Sequence, residues 1–120
     1  MTKSTCLICD DFPANAFILK LLISHINPEY EVDIVKSRNE LFTYLINHNP
    51  QHIFLDVVFG DNEEITPHIN SIKHQFSGDI ILYTGLPDTC VKKIMDKSGI
   101  KHVLHKPISR NTVEEILNRI

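Results

Sequence analysis

The sequence lacks the features that mark several large classes of protein. Its 120 residues include only three cysteines, too few and too odd in number for a disulfide framework. No apolar stretch is long enough to span a bilayer, and no signal-peptide core follows the first residue. A net charge of −3 without a cluster of lysine or arginine argues against a nucleic-acid-binding surface. These absences favour a cytoplasmic protein with no nucleic-acid and no membrane partner.

The length and composition indicate one globular domain. A hydrophobic content of 42% and a charged content of 22% are ordinary for a soluble fold, and 120 residues can bury one core. No linker, repeat or low-complexity segment interrupts the chain. We therefore expect residues 1–120 to form a single domain with no room for an output domain.

Neither the cysteines nor the histidines form a convincing metal or redox motif. Cys6 and Cys9 match C-x-x-C, but they lie in a predicted strand, where residues three apart point to opposite faces. They cannot then share a metal or a disulfide, and we expect buried thiols. The seven histidines are scattered without metal-ligand spacing, and His102 and His105 flank a strand. We interpret them as surface or boundary residues.

Apolar runs alternate between short strand-like segments and longer helical periods. The predicted strands are Ser4–Asp10, Glu31–Lys36, His52–Asp56, Asp79–Thr84 and Lys101–His105. The predicted helices are Pro13–Ile26, Arg38–His48, Ile65–Gln75, Asp88–Ser98 and Arg110–Arg119.

This alternation predicts an α/β fold with a parallel sheet, because each helix returns the chain to the same edge. Continuous apolar strands indicate that helices cover both faces of the sheet. The second strand ends without chemically useful residues, so we place it at an edge. The expected fold is flavodoxin-like, a doubly wound five-stranded parallel sheet of order 2-1-3-4-5.

Polar side chains follow four of the predicted strands. Asp10 and Asp11 follow the first, Asp56 ends the third, Thr84 ends the fourth and Lys106 follows the fifth. Three carboxylates at neighbouring strand ends repel one another and require a cation. Together with a hydroxyl and an amine, they form the residue set of a magnesium-assisted phosphoryl site.

This ordered set resembles the receiver domain of two-component response regulators, in particular the stand-alone chemotaxis and phosphorelay type. The resemblance covers the whole length. The motifs that carry it are Asp10-Asp11, Asp56, Thr84-Gly85 and Lys106-Pro107, each at the expected strand end.

The resemblance implies a role for each residue at these strand ends. Asp56 would accept a phosphoryl group from a histidine kinase or a histidine phosphotransfer protein. Lys106 would pair with Asp56 and then with a phosphoryl oxygen, and Thr84 would offer its hydroxyl to another. The Lys106-Pro107 bond is expected to be cis.

A magnesium site is the second implication of the resemblance. Asp10, Asp11, Asp56 and the backbone carbonyl of Val58 would hold Mg²⁺, Asp10 through a bound water. The phosphorylated domain would then switch an unknown downstream protein through its fourth helix, fifth strand and fifth helix, which are also a candidate dimer interface. Apart from its own phosphorylation and dephosphorylation, it would not be an enzyme.

Some residues depart from the receiver pattern. Val103 stands where receivers usually carry a tyrosine or phenylalanine that couples phosphorylation to conformation. The residues after Asp56 lack the usual proline and Met-Asp-Gly-like turn, and Val58 is apolar. Coupling between the site and its surroundings is therefore expected to be weak or rerouted.

The same residues also bear on three other functions. The first is a degenerate receiver that acts as a scaffold without phosphorylation, which Val103 and the unusual loop favour and the intact site residues disfavour. The second is an aspartyl-phosphate phosphatase, which needs an acid where Val58 stands. The third, flavin binding, is disfavoured because Asp10 and Asp11 would repel the cofactor phosphate.

The first predicted helix has more apolar positions than one buried stripe needs. Ile18, Leu19, Leu22 and Ile26 can form that stripe, whereas Phe17 and Leu21 form a second ridge. Two interpretations stay open for this ridge: deeper burial than the pattern suggests, or a docking face for the phosphodonor's helices.

Overall fold

The computed structural model describes residues 4–57 and 66–120, which alternate regularly between strands and helices. The strands are β1 (Ser4–Cys9), β2 (Tyr30–Val35), β3 (His52–Asp56), β4 (Asp79–Thr84) and β5 (His102–His105). The helices are α1 (Pro13–Ile26), α2 (Arg38–Asn47), α3 (Thr66–Gln75), α4 (Asp88–Ser98) and α5 (Arg110–Arg119).

Every predicted element is present, with small differences at the ends. β1 ends at Cys9 rather than Asp10, so Asp10 belongs to the loop that carries the site. β2 runs one residue earlier at both ends than predicted, β5 starts one residue later, and α2 ends one residue earlier. The predicted start of the third helix, Ile65, lies outside the described residues. Terminal residues of this kind are the least well specified by sequence pattern.

The strands form one parallel sheet of order β2-β1-β3-β4-β5, as predicted. Strand order reverses between β1 and β3, which is where open α/β sheets place ligands beyond the carboxyl ends of the strands. The register sets Asp56 beside Tyr83, and Thr84 beside His105. The carboxyl ends of β1, β3, β4 and β5 therefore meet along one edge.

Helices cover both faces of the sheet, and each face has its own apolar core. One core contains buried residues of α2, α3 and α4, and the other contains buried residues of α1 and α5. Cys9 lies in the first core and Cys6 in the second, both as free thiols. The prediction that these two cysteines point to opposite faces is confirmed.

Local sequence signals account for several helix ends. The Ser37 hydroxyl accepts a hydrogen bond from Glu40 N–H at 3.2 Å and so caps α2. The Glu40 carboxylate reaches back to Lys36 N–H at 2.7 Å, one residue before the cap itself. α4 ends at Gly99, whose φ of 76° lies in the left-handed region that glycine adopts without strain.

No helix within residues 4–57 and 66–120 is long and apolar enough to cross a membrane.

Candidate phosphoryl-transfer site

The carboxyl edge of the sheet brings together the acids predicted from sequence. Asp10, Asp11 and Asp56 each place one carboxylate oxygen within 4.8 Å of the others. Asp10 is fully buried and Asp56 is 5% exposed, whereas Asp11 is exposed. Two buried carboxylates and one exposed carboxylate thus share a small volume open to solvent on the Asp11 side.

The two oxygens of Asp10 have different surroundings. Oδ1 accepts a hydrogen bond from Phe12 N–H at 2.9 Å. Oδ2 is buried and, among the described residues, has no hydrogen-bond partner. Because a buried polar atom without a partner costs free energy, this oxygen is suited to a cation.

Lys106 supplies positive charge to this cluster. Its Nζ lies 3.2 Å from Asp56 Oδ2, within hydrogen-bond distance, and 3.5 Å from Asp10 Oδ2. One ammonium group thus faces two buried carboxylates, with a third carboxylate close by. The site retains excess negative charge that a divalent cation would neutralise.

Burial is the main reason that the pKa of the Asp10 carboxyl is raised above its usual range. The Phe12 N–H and the Lys106 ammonium oppose this effect, while the charge of Asp56 adds to it. The surroundings of Asp10 therefore disfavour its charged form even beside Lys106, and a bound divalent cation would favour that form.

Thr84 is the last residue of β4, and Lys106 is the first residue after β5. Lys106 N–H donates to the Thr84 backbone carbonyl at 2.7 Å, and the Lys106-Pro107 peptide bond is cis, as predicted. The Thr84 hydroxyl is fully buried and accepts a hydrogen bond from Leu86 N–H at 3.0 Å. A Cβ added at Gly85 would lie 3.8 Å from Lys106 Cβ, an ordinary contact, so steric space alone does not require glycine there.

The residues at this edge fit Mg²⁺, a hard cation that prefers a few carboxylate oxygens, water and phosphate. The donor set is all oxygen, and the buried Asp10 Oδ2 lacks another hydrogen-bond partner within the described part of the chain. Val58, whose carbonyl was predicted to be a further ligand, lies outside the described residues.

Sequence reasoning missed one residue at this site. The Lys106 ammonium lies 4.3 Å from the centre of the Tyr83 ring, directly over its face. The signal was available, because Tyr83 follows three aliphatic residues and directly precedes Thr84. Val103, by contrast, is partly buried and packs against the core on the α2, α3 and α4 face.

We predict that Asp10→Asn stabilises the protein against unfolding in the absence of Mg²⁺, by about 1–3 kcal/mol. The amide oxygen can still accept from Phe12 N–H, while the buried charge beside Asp56 is removed. Urea unfolding in the presence of a chelator would measure the difference. Asp11→Asn is the matched control and should change stability little, because Asp11 is exposed.

The stability difference should depend on pH in a definite direction. A raised pKa in the folded state means that the folded protein binds the Asp10 proton more tightly than the unfolded chain. Wild type therefore gains stability as the pH falls through the raised pKa towards the ordinary value, and its difference from Asp10→Asn shrinks. A variant that is less stable than wild type at neutral pH without Mg²⁺ would contradict this account.

Comparison with known proteins places this geometry in context. No family model matches the chain, and no curated protein matches it in sequence. Solved structures do match it in three dimensions over nearly its whole length. The chemotaxis response regulator CheY4 of Vibrio cholerae superposes with a TM-score of 0.84 at 18% identity, covering 98% of each chain. The fold is that of a response-regulator receiver domain.

Two further structures support the same conclusion about the fold. The signal receiver domain of a DNA-binding response regulator (merR) from Colwellia psychrerythraea 34H has a TM-score of 0.82 and 21% identity, covering 98% of this chain and 97% of that one. A response regulator from Thermotoga maritima has a TM-score of 0.83 and 19% identity, covering 98% and 96%. The receiver fold thus extends across the chain at a low level of sequence identity.

Proposed function

We propose that this chain is a phosphoacceptor signalling module of a two-component system or phosphorelay. It receives a phosphoryl group on Asp56 from a histidine kinase or a histidine phosphotransfer protein in the cytoplasm. The observation that carries the proposal is the Lys106 ammonium, 3.2 Å from Asp56 and 3.5 Å from Asp10, at the edge where three carboxylates converge. The receiver fold of the chain supports the same function.

The transfer is a displacement at phosphorus. An Asp56 carboxylate oxygen attacks the phosphorus of a phosphohistidine, and a new P–O bond forms while the P–N bond breaks. The electron pair of the broken bond leaves on the imidazole nitrogen of the donor. The product on this chain is an acyl phosphate, which water later hydrolyses at phosphorus to restore the Asp56 carboxylate.

Lys106 and Thr84 are placed to bind the phosphoryl group once it is attached to Asp56. The Lys106 ammonium already lies against the Asp56 carboxylate and needs only a small movement to pair with a phosphoryl oxygen. The Thr84 hydroxyl accepts from Leu86 N–H, so its own proton can be donated to another phosphoryl oxygen. Both groups thus stabilise negative charge on the transferred phosphoryl group.

Asp10, Asp11 and Asp56 are the residues that would hold Mg²⁺. When bound, the ion neutralises the negative charge that this acidic cluster and the incoming phosphoryl oxygens bring together. Among the described residues, Asp10 provides a buried carboxylate whose Oδ2 accepts no hydrogen bond, and Asp11 provides an exposed carboxylate.

Phosphorylation would then switch a partner protein. The receiver resemblance assigns the output, and a candidate dimer contact, to the surface formed by α4, β5 and α5. Val103 is not the aromatic that usually links this surface to the site, and it packs into the core instead. We therefore propose that this chain links site and surface by other residues.

The alternative function is a scaffold that is never phosphorylated. Val103 favours it, but the buried acid pair with its facing lysine favours phosphorylation, since such a group costs stability without a chemical use. A phosphatase is disfavoured because Val58 cannot supply the second acid.

The two functions are separated by beryllofluoride, a non-hydrolysable mimic of the phosphoryl group. Addition of beryllium and fluoride with Mg²⁺ should shift backbone amide NMR signals around Asp56, Thr84 and Lys106 in the wild type. The same addition should leave Asp56→Asn unchanged. A wild-type spectrum that does not respond under any condition would support the scaffold instead.

The apolar ridge on α1 is a candidate docking surface for the phosphodonor. Deeper burial, one of its two interpretations, is wrong: Phe17 is 56% exposed and Leu21 is 52% exposed. The predicted buried stripe also needs a correction, because Ile18 is 48% exposed and the buried α1 residues are Ala16, Leu19 and Ile23. Leu19 is buried as predicted, and Leu22 and Ile26 are partly buried against the same core, so the correction concerns Ile18.

We predict that Phe17→Ser combined with Leu21→Ser slows phosphotransfer from the cognate kinase by at least about tenfold, because two apolar contacts at a docking face are lost. Phosphorylation by acetyl phosphate, which needs no docking, should be unchanged. Ile46→Ser on α2, where Ile46 is 77% exposed, is the control for losing an exposed apolar side chain elsewhere. Transfer from the kinase at the wild-type rate would exclude docking at this ridge.

A further inference from the structure

A buried tyrosine lies beneath the lysine of the site. Tyr83 is 1% exposed, and the Lys106 Nζ lies 4.3 Å from the centre of its ring. The chemistry proposed for Asp56 assigns this ring no role. Its ring nevertheless lies under the ammonium of a site residue, in a chain where Val103 holds the usual aromatic position.

The ring is held in place from several sides. Tyr83 belongs to β4, with its neighbours in register on β3 and β5, and it packs in the core on the α1 and α5 face. Its hydroxyl donates to the Asn15 carbonyl of α1 at 3.4 Å. A ring fixed at both its backbone and its hydroxyl presents one defined face to Lys106.

The chemical state of the ring suits contact with a cation. Burial, with a smaller contribution from Asp10 and Asp56, raises the pKa of the Tyr83 hydroxyl to about 12. The hydroxyl thus stays protonated at neutral pH, and the face of the ring carries the partial negative charge that attracts an ammonium group.

A third contact, with the face of the Tyr83 ring, restricts the position of the Lys106 ammonium. A lysine side chain is a flexible stem with a point charge, so its two carboxylate partners fix the ammonium only loosely. In the proposed function, that ammonium moves from Asp56 to a phosphoryl oxygen once Asp56 is phosphorylated. An aromatic face holds the ammonium without using its N–H donors in strong hydrogen bonds, which leaves them for the incoming group.

We propose that Tyr83 is a positioning residue for Lys106, whose ring face holds the ammonium beside Asp56 and Asp10 for phosphoryl transfer. The inference rests on the proposed function of Asp56 as the phosphoacceptor. The hydroxyl bond from Tyr83 to Asn15 would then connect α1 indirectly with Lys106.

The test compares rates of phosphorylation by acetyl phosphate with saturating Mg²⁺. The phosphorylation rate of Tyr83→Leu should be about tenfold lower than that of the wild type. A loss of this size corresponds to one partly desolvated cation–π contact. Tyr83→Phe keeps the ring and should recover most of that rate. Phe54→Leu is the matched control, because Phe54 is a fully buried ring of the same core cluster.

A double-mutant cycle separates positioning from a general structural role. In a Lys106→Met background, Tyr83→Leu should cause no further loss, since its effect passes through the ammonium. A tenfold loss in both backgrounds, or an equal loss in Phe54→Leu, would overturn the inference. Wild-type rates in Tyr83→Leu would also overturn it and leave the proposed function intact, whereas failure of the wild type itself to accept phosphate would refute the proposed function.

The contact between Lys106 and Tyr83 can also be tested on the wild type, by the proton chemical shifts of Lys106. The Cε protons of Lys106 should resonate upfield of those of the other lysines, because they are next to the Nζ that lies over the ring face. Tyr83→Phe should retain this shift. Lys106 protons that resonate with those of exposed lysines such as Lys101 would contradict the contact.

Discussion

Lys106→Met should lower the rate of Asp56 phosphorylation by about 10²- to 10³-fold, the loss that follows removal of one preorganised charge-stabilising group. The ammonium lies 3.2 Å from the buried carboxylate of Asp56 and 3.5 Å from that of Asp10. Methionine preserves most of the side-chain volume, so the charge is the main thing removed. The fall should appear at saturating Mg²⁺ and saturating acetyl phosphate.

The Lys106 variant should bind Mg²⁺ at least as tightly as the wild type. The ammonium would compete with a bound Mg²⁺ for the carboxylates of Asp10 and Asp56, so its removal should take away a competitor. Lys101→Met is the matched control, since Lys101 is exposed and just before β5. A Lys106→Met protein that is phosphorylated at the wild-type rate would show that this lysine has no part in the transfer.

The second large effect is expected at the exposed acid. Asp11→Asn should weaken Mg²⁺ binding by at least about tenfold, because one of three converging carboxylates loses its charge while the fold stays intact. The phosphorylation rate at limiting Mg²⁺ should fall in proportion, and high Mg²⁺ should recover most of it. A titration followed by calorimetry or amide NMR would measure the affinity.

Glu114→Gln provides the comparison for the loss of one acidic charge far from the site, because Glu114 is exposed on α5. It should leave the affinity for Mg²⁺ unchanged. If Asp11→Asn bound Mg²⁺ as tightly as Glu114→Gln, the cluster of Asp10, Asp11 and Asp56 would not be the Mg²⁺ site. A different cation would then have to balance the charge of Asp10 and Asp56.

The sheet and its strand order were predictable because they follow from a few strong physical signals. Continuous apolar strands that alternate with helical periods require a parallel sheet covered on both faces. The acids, Thr84 and Lys106 at successive strand ends then fixed which strands must be neighbours. Their positions in space followed from topology, since parallel strands deliver their carboxyl ends to one edge.

Side-chain packing was much less predictable. The ridge of α1 could be identified from sequence, but whether Phe17 was covered depended on the tilt of the helix against the sheet, which the pattern does not specify. The contact between Tyr83 and Lys106 joins residues of β4 and the loop after β5, so it depends on a rotamer and a loop conformation. Local periodicity carries no information on either.

Because Val103 replaces the usual aromatic, the contact between Tyr83 and Lys106 is a candidate route for a conformational signal. In this chain the aromatic that meets the site lysine lies on the α1 and α5 side of the sheet, whereas Val103 lies on the α2, α3 and α4 side. A conformational signal that starts at Lys106 would thus meet α1 first. We therefore expect a change on phosphorylation at α1, the helix that carries the exposed ridge of Phe17 and Leu21.

The most direct test of the account is intact-mass spectrometry after incubation with acetyl phosphate, with and without Mg²⁺, on the wild type and on Asp56→Asn. We expect one phosphoryl adduct on the wild type that requires Mg²⁺ and is absent from Asp56→Asn. No adduct on the folded wild type under any condition would contradict the phosphoacceptor function. An adduct of equal yield on Asp56→Asn would show that another residue is the nucleophile.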